Sequence, residues 1–514
     1  MVFLLVFVWK LALLAFLALP VPSNDAFFYD GPAVNLLAHG KYVNPALAPA
    51  LKISGTEIFS AYPPLYQSVL WAWMSLFGAS ALSAMTLHVA LFGLCACILW
   101  AIFRRLETPA WAVRVAALFL FIITFDDRPD SLAHVFGLAA VYAWVRCRPS
   151  LLVPPTDARP REGGERGGWA WAMAGFAVLS LATGLQIGAL YTLLLWIGML
   201  ATSLLGRDQF AYAPMLAMTI LPVALVALVA FGFPRIWAGF LEHARQTPSL
   251  TGWRMPRVDE ALKIVRNAPG ILGAAALLIW LHGNETRREV GGRRFVLVAL
   301  TVTLAALVII VASLFVLTAN SVLFVGPIQP LAVGAGLALV ATRSPSARRP
   351  RACVALFLAL AALGSIRAVG LTTWGAVCAA KDSYPAALRC VRSELAACPR
   401  GSTAVLSSAY LYEAARRSEI RWVHSDWMAP AGRDPTLSDW EGLTTLKPAR
   451  IILTQLDYYR RYEPLLARLR SRPDLAALTV VNTARVPAPD SIRPLQKVLQ
   501  HVSWAPVVVT IAWR

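Results

Sequence analysis

The chain has 514 residues, 58% of them hydrophobic and 15% charged, with a mean hydropathy of +0.60. That leaves too little polar surface for a soluble protein of this length. A net charge of +19 would suit nucleic acid, but the arginines cluster between apolar runs as they do in membrane proteins, so the charge reads as topology and nucleic acid is excluded as a partner.

Residues 1–21 (MVFLLVFVWKLALLAFLALPV) form the first apolar run. Their start lacks a basic residue, Lys10 interrupts them, and no clear small-residue cleavage site follows. They read as a first transmembrane helix and not as a signal peptide. Runs at 82–103, 110–125, 131–146, 169–184, 186–205, 212–233, 267–282, 295–318, 322–342 and 353–371 bring the count to about eleven spans.

The stretch LYQSVLWAWMSLFG (65–78) enters through Pro63-Pro64, ends at Gly78, and is short for a crossing. Parity assigns it. If it does not cross, Arg104-Arg105, Arg146 to Arg166, Arg207, Arg287 to Arg294 and Arg343 to Arg351 share one face, which is the cytoplasmic one. The stretch is then an interfacial or re-entrant helix, with Trp71 and Trp73 at headgroup level. The external face receives 22–81, the tight loop 125–130, the loop 234–266 and everything after about 372. The Pro/Gly/Arg-rich stretch 149–168 is a cytoplasmic linker.

Beyond 372 the character changes. TAVLSSAY (403–410), ARIILTQL (449–456) and APVVVTIAW (505–513) read as strands, and YEAARRSE and YEPLLARLRSR as helices. The expected architecture is a polytopic α-helical membrane protein, 1–371, with an external α/β domain, 372–514, that caps it. Seven cysteines are scattered without metal spacing. Cys95, Cys97 and Cys353 lie in apolar runs as small core residues, and Cys390 and Cys398 form a candidate disulfide if the external side is oxidising.

Three polar constellations fall on the external face. NDAFFYDGPAVNLLAHGKY (24–42) places Asp25 just past the first helix. A carboxylate held near the bilayer and partly desolvated gains basicity and can take a proton from a hydroxyl. The competing reading is a helix cap after Pro22-Ser23-Asn24. Ala33 to Ala38 reads as a short helix capped by Asp30 and stopped at Gly40. FDDRPD (125–130) brings Asp126, Asp127, Arg128 and Asp130 into one turn between spans, where ionisable groups default to function. Against this, the turn reads as a solvated hairpin with Asp130 as N-cap. YPPLY (62–66) fixes an extended entry into the interfacial helix, with Tyr62 and Tyr66 as candidate site-lining residues. In the loop 234–266, Glu242, His243 and Arg245 are further polar candidates. No HExxH or Asp-x-Asp pair is present.

D-x-x-x-Y, then A-x-x-L-L-x-x-G-x-Y, then Y-P-P-L-Y before an apolar helix ending in L-F-G, then R-P-D at the third-to-fourth helix turn, resembles the GT-C glycosyltransferases. The likeness is to the group of protein O-mannosyltransferases, the lipid A aminoarabinose transferase and lipopolysaccharide glycosyltransferases. It rests on motifs over the first ~150 residues and on layout beyond them. The resemblance implies a GT-C arrangement and an enzyme that moves a sugar from a polyprenyl-phosphate donor to a glycan, lipid or protein acceptor. Transfer would take place on the periplasmic face of the bacterial inner membrane, with inversion.

The family's first-loop carboxylate falls on Asp25 as general base, and its second-loop acid falls within Asp126, Asp127 and Asp130. Tyr29, Tyr62, Tyr66, His243 and Arg245 become substrate-binding candidates. Two departures stand out. Ala26 replaces the frequent Glu after the first Asp, and Ala61-Tyr62 replaces the Glu-Lys that precedes Pro-Pro in the aminoarabinose transferase. The cation for the donor phosphate is then Lys41, Lys52 or Arg128. No cofactor is expected. A divalent cation between Asp25 and Asp126 or Asp127 is chemically feasible, but the resemblance argues against it. The rival readings are an O-antigen polymerase or ligase centred on the loop 234–266, and a polytopic transporter.

Overall fold

The computed structural model describes residues 1–17, 26–44, 64–122, 130–148, 163–204, 211–232, 234, 237–238, 258–283, 293–315, 319–343, 348–379, 384–417, 419–425, 437–458, 462–482 and 504–514. Every apolar run of the sequence falls on a helix. In chain order these are α1 (Val2–Leu17), α5 (Ala81–Arg105), α6 (Ala110–Leu118), α7 (Asp130–Cys147), α8 (Gly163–Thr183), α9 (Leu185–Leu204) and α10 (Tyr212–Gly232). Next come α11 (Val258–Asn267) with α12 (Pro269–Gly283), then α13 (Arg293–Phe315), α14 (Gln329–Arg343) and α15 (Arg348–Ala379).

Among the described residues, five helical stretches are long and apolar enough to cross a membrane: Ala81–Arg105, Leu185–Leu204, Tyr212–Gly232, Arg293–Phe315 and Phe324–Thr342. The bent α11–α12 pair makes a sixth if it counts as one span, and shorter apolar helices accompany them. The chain is a multi-pass membrane protein.

Two runs are less regular than their hydropathy suggests. The run 322–342 begins as a 3-10 helix, Ala319–Ile328, that contains Pro327. Proline has no N–H to give an α-helical ladder, so the tighter turn persists until α14. The run 267–282 is preceded by α11, at 84° to α12. Pro269 opens α12 and restricts the residue before it. The backbone groups freed at this break are paired by one side chain. Gln329 Oε1 accepts from the Gly270 N–H at 2.9 Å, and Gln329 Nε2 donates to the Asn267 carbonyl at 2.7 Å. α11 itself points Val258, Leu262 and Val265 outward and buries Glu260 and Ile264. An apolar outer stripe at i, i+4, i+7 is the pattern of a helix lying in the membrane interface.

The segment 22–81, called the first external segment after the side the arginine parity predicts for it, contains α2 (Ala26–Tyr29), α3 (Gly31–His39) and α4 (Leu65–Phe77). At about 1.5 Å per residue, the 13 residues of α4 span about 20 Å, short of a ~30 Å hydrocarbon layer. α4 buries Tyr66, Gln67, Leu70 and Met74 and exposes Trp71, Leu76 and Phe77. Its Trp73 Nε1 donates to the Ser83 carbonyl at the start of α5.

Residues 384–514 carry a five-stranded sheet of order β2-β1-β3-β5-β4. β1 (Thr403–Leu406), β2 (Arg421–His424) and β3 (Arg450–Leu453) run parallel, with Val405 opposite both Val423 and Ile451. β5 (Val507–Trp513) is antiparallel to β3 on one side and to β4 (Ala476–Asn482) on the other. The three strands read from sequence are β1, β3 and β5; β2 and β4 join them. One face of the sheet packs against α16 (Tyr384–Ala396) and the short α17 (Leu411–Ala415) that follows β1, and the other against the helices Leu437–Leu446 and Glu463–Arg470, the second of which is the helix read from YEPLLARLRSR. Cys390, within α16, and Cys398, just past its end, are free thiols and not the expected disulfide.

The carboxyl ends of the three parallel strands are tied by polar side chains. Ser408 Oγ and His424 Nε2 lie 2.7 Å apart. The Asp457 carboxylate accepts from Ser407 and, at 3.1 Å, from Thr454. This edge faces the first external segment. One continuous apolar cluster joins Ala26, Tyr29, Val34, Tyr66, Leu70, Ala84 and Leu132 to Tyr384, Leu406, Leu411, Tyr412 and Trp504. One polar contact crosses this junction and a second, within the C-terminal portion, lies beside it. Arg416 Nη2 donates to the Ala79 carbonyl at 2.9 Å, and the buried Glu413 carboxylate accepts two bonds from Arg392, at 2.8 and 2.9 Å.

Candidate functional site

The first external segment is organised by an interruption that hardly breaks the helix. The Asp30 N–H bonds the Ala26 carbonyl at 2.7 Å, and the Val34 N–H bonds the Asp30 carbonyl at 2.9 Å, so α2 runs into α3 through residue 30. Gly40 ends α3 in the left-handed region at φ 67°, its N–H on the Leu36 carbonyl, which is the stop the sequence implies.

Asp30 does not cap α3. It occupies the N-cap position, but its side chain makes no capping bond. The reason is local. Its backbone is already helical at φ −94°, ψ −27°, and proline sits in the first turn, so few donors are left to cap. The carboxylate turns inward and is fully buried. Oδ1 accepts from the Tyr66 hydroxyl at 2.9 Å and Oδ2 from the Tyr412 hydroxyl at 2.6 Å.

The chain of contacts continues. Tyr66 Oη lies 2.9 Å from His88 Nε2, and His88 Nδ1 lies 3.0 Å from Ser131 Oγ. All of these side chains are buried. Counting protons fixes the directions while Asp30 is ionised. Tyr66 has one hydrogen and gives it to the carboxylate, so His88 donates from Nε2 and its Nδ1 accepts from Ser131. The relay thus joins α3, α4, α5, α7 and α17 through a single carboxylate. Burial pushes the Asp30 carboxyl up to about 7, against the pull of the hydrogen bonds from Tyr412 and Tyr66. With both oxygens engaged and no exposed surface, Asp30 has no face to offer an acceptor hydroxyl, so it is a poor candidate for the base.

The other sequence-derived candidates divide. Tyr66 is in the relay. Tyr29 is buried in the apolar cluster beside it. Asp130 is the first residue of α7, next to Ser131. Lys41 is exposed just past Gly40, and its carbonyl accepts from Asn35 Nδ2 at 2.8 Å. Asp25, Lys52, Tyr62, Asp126, Asp127, Arg128, His243 and Arg245 lie outside the described residues.

The sequence did not single out Gln67, His88, Ser131 or Tyr412. His88 carried a usable signal, an ionisable group inside an apolar run. Among the described residues, Tyr42 Oη and Gln67 Oε1 are buried without a hydrogen-bond partner, and burial pushes the Tyr42 hydroxyl up from its usual range. Unpaired buried polar atoms on this segment are the expected lining of a ligand site.

The sequence matches no family model and no curated protein. Its fold matches known structures. Over 98% of its length the chain superposes on apo ArnT from Cupriavidus metallidurans, covering 97% of that chain at 14% identity and a TM-score of 0.56. ArnT bound to undecaprenyl phosphate gives 99% and 97% coverage, 16% identity and a TM-score of 0.54. The archaeal oligosaccharyltransferase AglB from Archaeoglobus fulgidus, in complex with an inhibitory peptide and a dolichol-phosphate, covers 89% of this chain and 69% of its own at 11% identity and a TM-score of 0.51. The fold is therefore the GT-C arrangement that the motif order resembles.

Proposed function

We propose, from a fold shared with ArnT along nearly its whole length, that this chain is a membrane glycosyltransferase. It moves a sugar from a polyprenyl-phosphate donor to an acceptor hydroxyl on the periplasmic face of a bacterial inner membrane. The eleven apolar helices within 1–371 form the catalytic part, 22–81 is its first external loop, and 372–514 is an external cap. The single observation that carries this reading is the end-to-end match of fold to proteins whose structures hold undecaprenyl phosphate or dolichol-phosphate.

The chemistry is an inverting displacement. The acceptor oxygen attacks the anomeric carbon and its proton passes to Asp25. The bond to phosphate breaks, and the polyprenyl phosphate leaves with the electron pair. A base and a cation on opposite sides of the anomeric carbon are what such a step needs. Asp25 is the base, the second acid comes from Asp126, Asp127 or Asp130, and the departing phosphate is met by Lys41, Lys52 or Arg128. Tyr29, Tyr42, Tyr62, Gln67, His243 and Arg245 are candidates for holding donor or acceptor, while Tyr66, its hydroxyl held between Asp30 and His88, supports the site from behind. No resident metal or cofactor is invoked.

The bent α11–α12 pair is the observation that would favour a transporter, since broken helices line ion sites there. Two of its freed backbone groups, the Gly270 N–H and the Asn267 carbonyl, are however already paired by Gln329, which leaves those two unavailable to an ion.

The test uses protein reconstituted in lipid with undecaprenyl phosphate-linked sugars, radiolabelled, and a membrane glycolipid extract as acceptor. Wild type releases undecaprenyl phosphate and labels the extract, and Asp25→Asn folds but transfers nothing. Full transfer by Asp25→Asn overturns the assignment. Loss confined to His243 and Arg245 variants favours the polymerase reading.

A further inference from the structure

We infer that the buried series Asp30, Tyr66, His88 and Ser131 is a strut that sets the spacing between the start of α3 and the start of α7, the elements that follow the two acidic stretches in sequence, and that Tyr412 braces it from the C-terminal portion. These are positioning residues for the sugar transfer proposed above, and the inference rests on that reading for its catalytic consequence.

Asp30 is tied by its N–H to Ala26, the residue after Asp25. Ser131 is the second residue of α7, which in the sequence follows the stretch with Asp126 and Asp127. The starts of α3 and α7 are separated in the chain by α4, α5 and α6, yet a hydrogen-bonded path of four buried side chains runs from one to the other. A displacement that uses acids from two loops depends on holding them at fixed separation, because small misplacements there cost large factors in rate.

The chemistry of the path suits a spacer of fixed length. Each member is both partner and neighbour, so a shift of one loop leaves a donor or acceptor unpaired in an apolar cluster. Close packing alone would be served by apolar residues of the same shape. A buried carboxylate at this junction is a worse filler than a leucine, and its presence needs a reason beyond packing.

Tyr412 gives the C-terminal portion a share in the same spacing. It stands on α17, directly after the carboxyl end of β1, and its hydroxyl reaches the free oxygen of Asp30. Arg416 on the same short helix and its turn holds the α4–α5 turn by the Ala79 carbonyl. The sheet therefore grips the first external loop at two points.

Tyr66→Phe and Tyr412→Phe each delete one oxygen and test the idea in the full chain. In the reconstituted assay each is expected to lower kcat about tenfold with KM for the donor within about twofold. The double variant Tyr66→Phe with Asp30→Asn is expected to be no slower than Asp30→Asn alone, since the two act through one carboxylate. In lipid nanodiscs, amide hydrogen exchange is expected to rise together in 26–31 and 130–134 in both single variants. Wild-type kcat in both, or faster exchange confined to the helix that carries the substitution, overturns the strut. If wild type itself moves no sugar from the donor, the functional reading falls, and the exchange measurement still decides the strut.

Discussion

Tyr412 donates its phenolic hydrogen to Asp30 Oδ2 at 2.6 Å, across 382 positions of chain. The bond places a carboxylate of the first external loop under the control of the C-terminal sheet. It also makes the junction sensitive to proton concentration. Folded Asp30 holds its proton to about pH 7, against 3.8 for the free side chain. Between these values the folded state binds more protons, so stability falls as pH rises and the full cost remains above 7. The interval of about three pH units corresponds to at most roughly 4 kcal/mol. The melting temperature in detergent is expected to fall from pH 5 to pH 8 in wild type. Asp30→Asn, which has nothing to titrate, is expected to be flat at this site; an equal slope in that variant removes Asp30 as the cause.

Gln329 bridges the two sides of the α11–α12 break. Gln329→Leu keeps the volume and removes both hydrogen bonds, taking away the partner of the buried Gly270 N–H and of the half-buried Asn267 carbonyl. Each orphaned group costs about 1–3 kcal/mol. A clear drop in melting temperature and in the folded fraction on size exclusion is expected; an unchanged profile would show that other groups satisfy the break.

Gly137 on α7 faces the Tyr191 ring so closely that an added Cβ would lie 2.0 Å from it. Tyr191 is fully buried and also bonds His134 Nδ1 at 3.1 Å, so the ring has little freedom to retreat. Gly137→Ala is expected to destabilise by about 1–3 kcal/mol or more through overpacking. Gly175, with open space at the same test position, is the control: Gly175→Ala is expected to leave the melting temperature unchanged or raised.

Lys41 is exposed past the end of α3. In a cysteine-free background, Lys41→Cys is expected to react with a membrane-impermeant maleimide added from the periplasmic side, and Arg207→Cys only after permeabilisation. The reverse pattern would invert the arginine parity and with it the sidedness of the whole reading.

Helical spans were legible because apolar runs and their arginine-rich joints are local properties. So was the Gly40 stop, where a left-handed residue follows a short periodic stretch. The strands β1, β3 and β5 announce themselves by continuous Val and Ile. β2 is four residues, RWVH, and β4 begins Ala-Ala-Leu, so neither shows a period long enough to read.

The misreading of Asp30 has a specific physical origin. Asp-Gly-Pro looks like a cap when the preceding residues are taken as coil, and it stops looking so once α2 is seen to run through it. α11 was missed because its polar residues suggested a loop, whereas its apolar stripe points outward and not into a core. Tyr412 offered no local sign at all, since its partner lies in another part of the fold.

The last strand, β5, lies inside the sheet, between β3 and β4. The helices can enter the bilayer while the chain is still being made, but the sheet cannot close until residues 507–513 have emerged. Only then is the open side of β3 covered, and Tyr410, two residues before Tyr412, can donate to the Trp504 carbonyl only once that stretch has emerged. A chain cut before β5 would leave the open side of β3 unpaired and Tyr410 without its acceptor, next to the short helix that carries Tyr412.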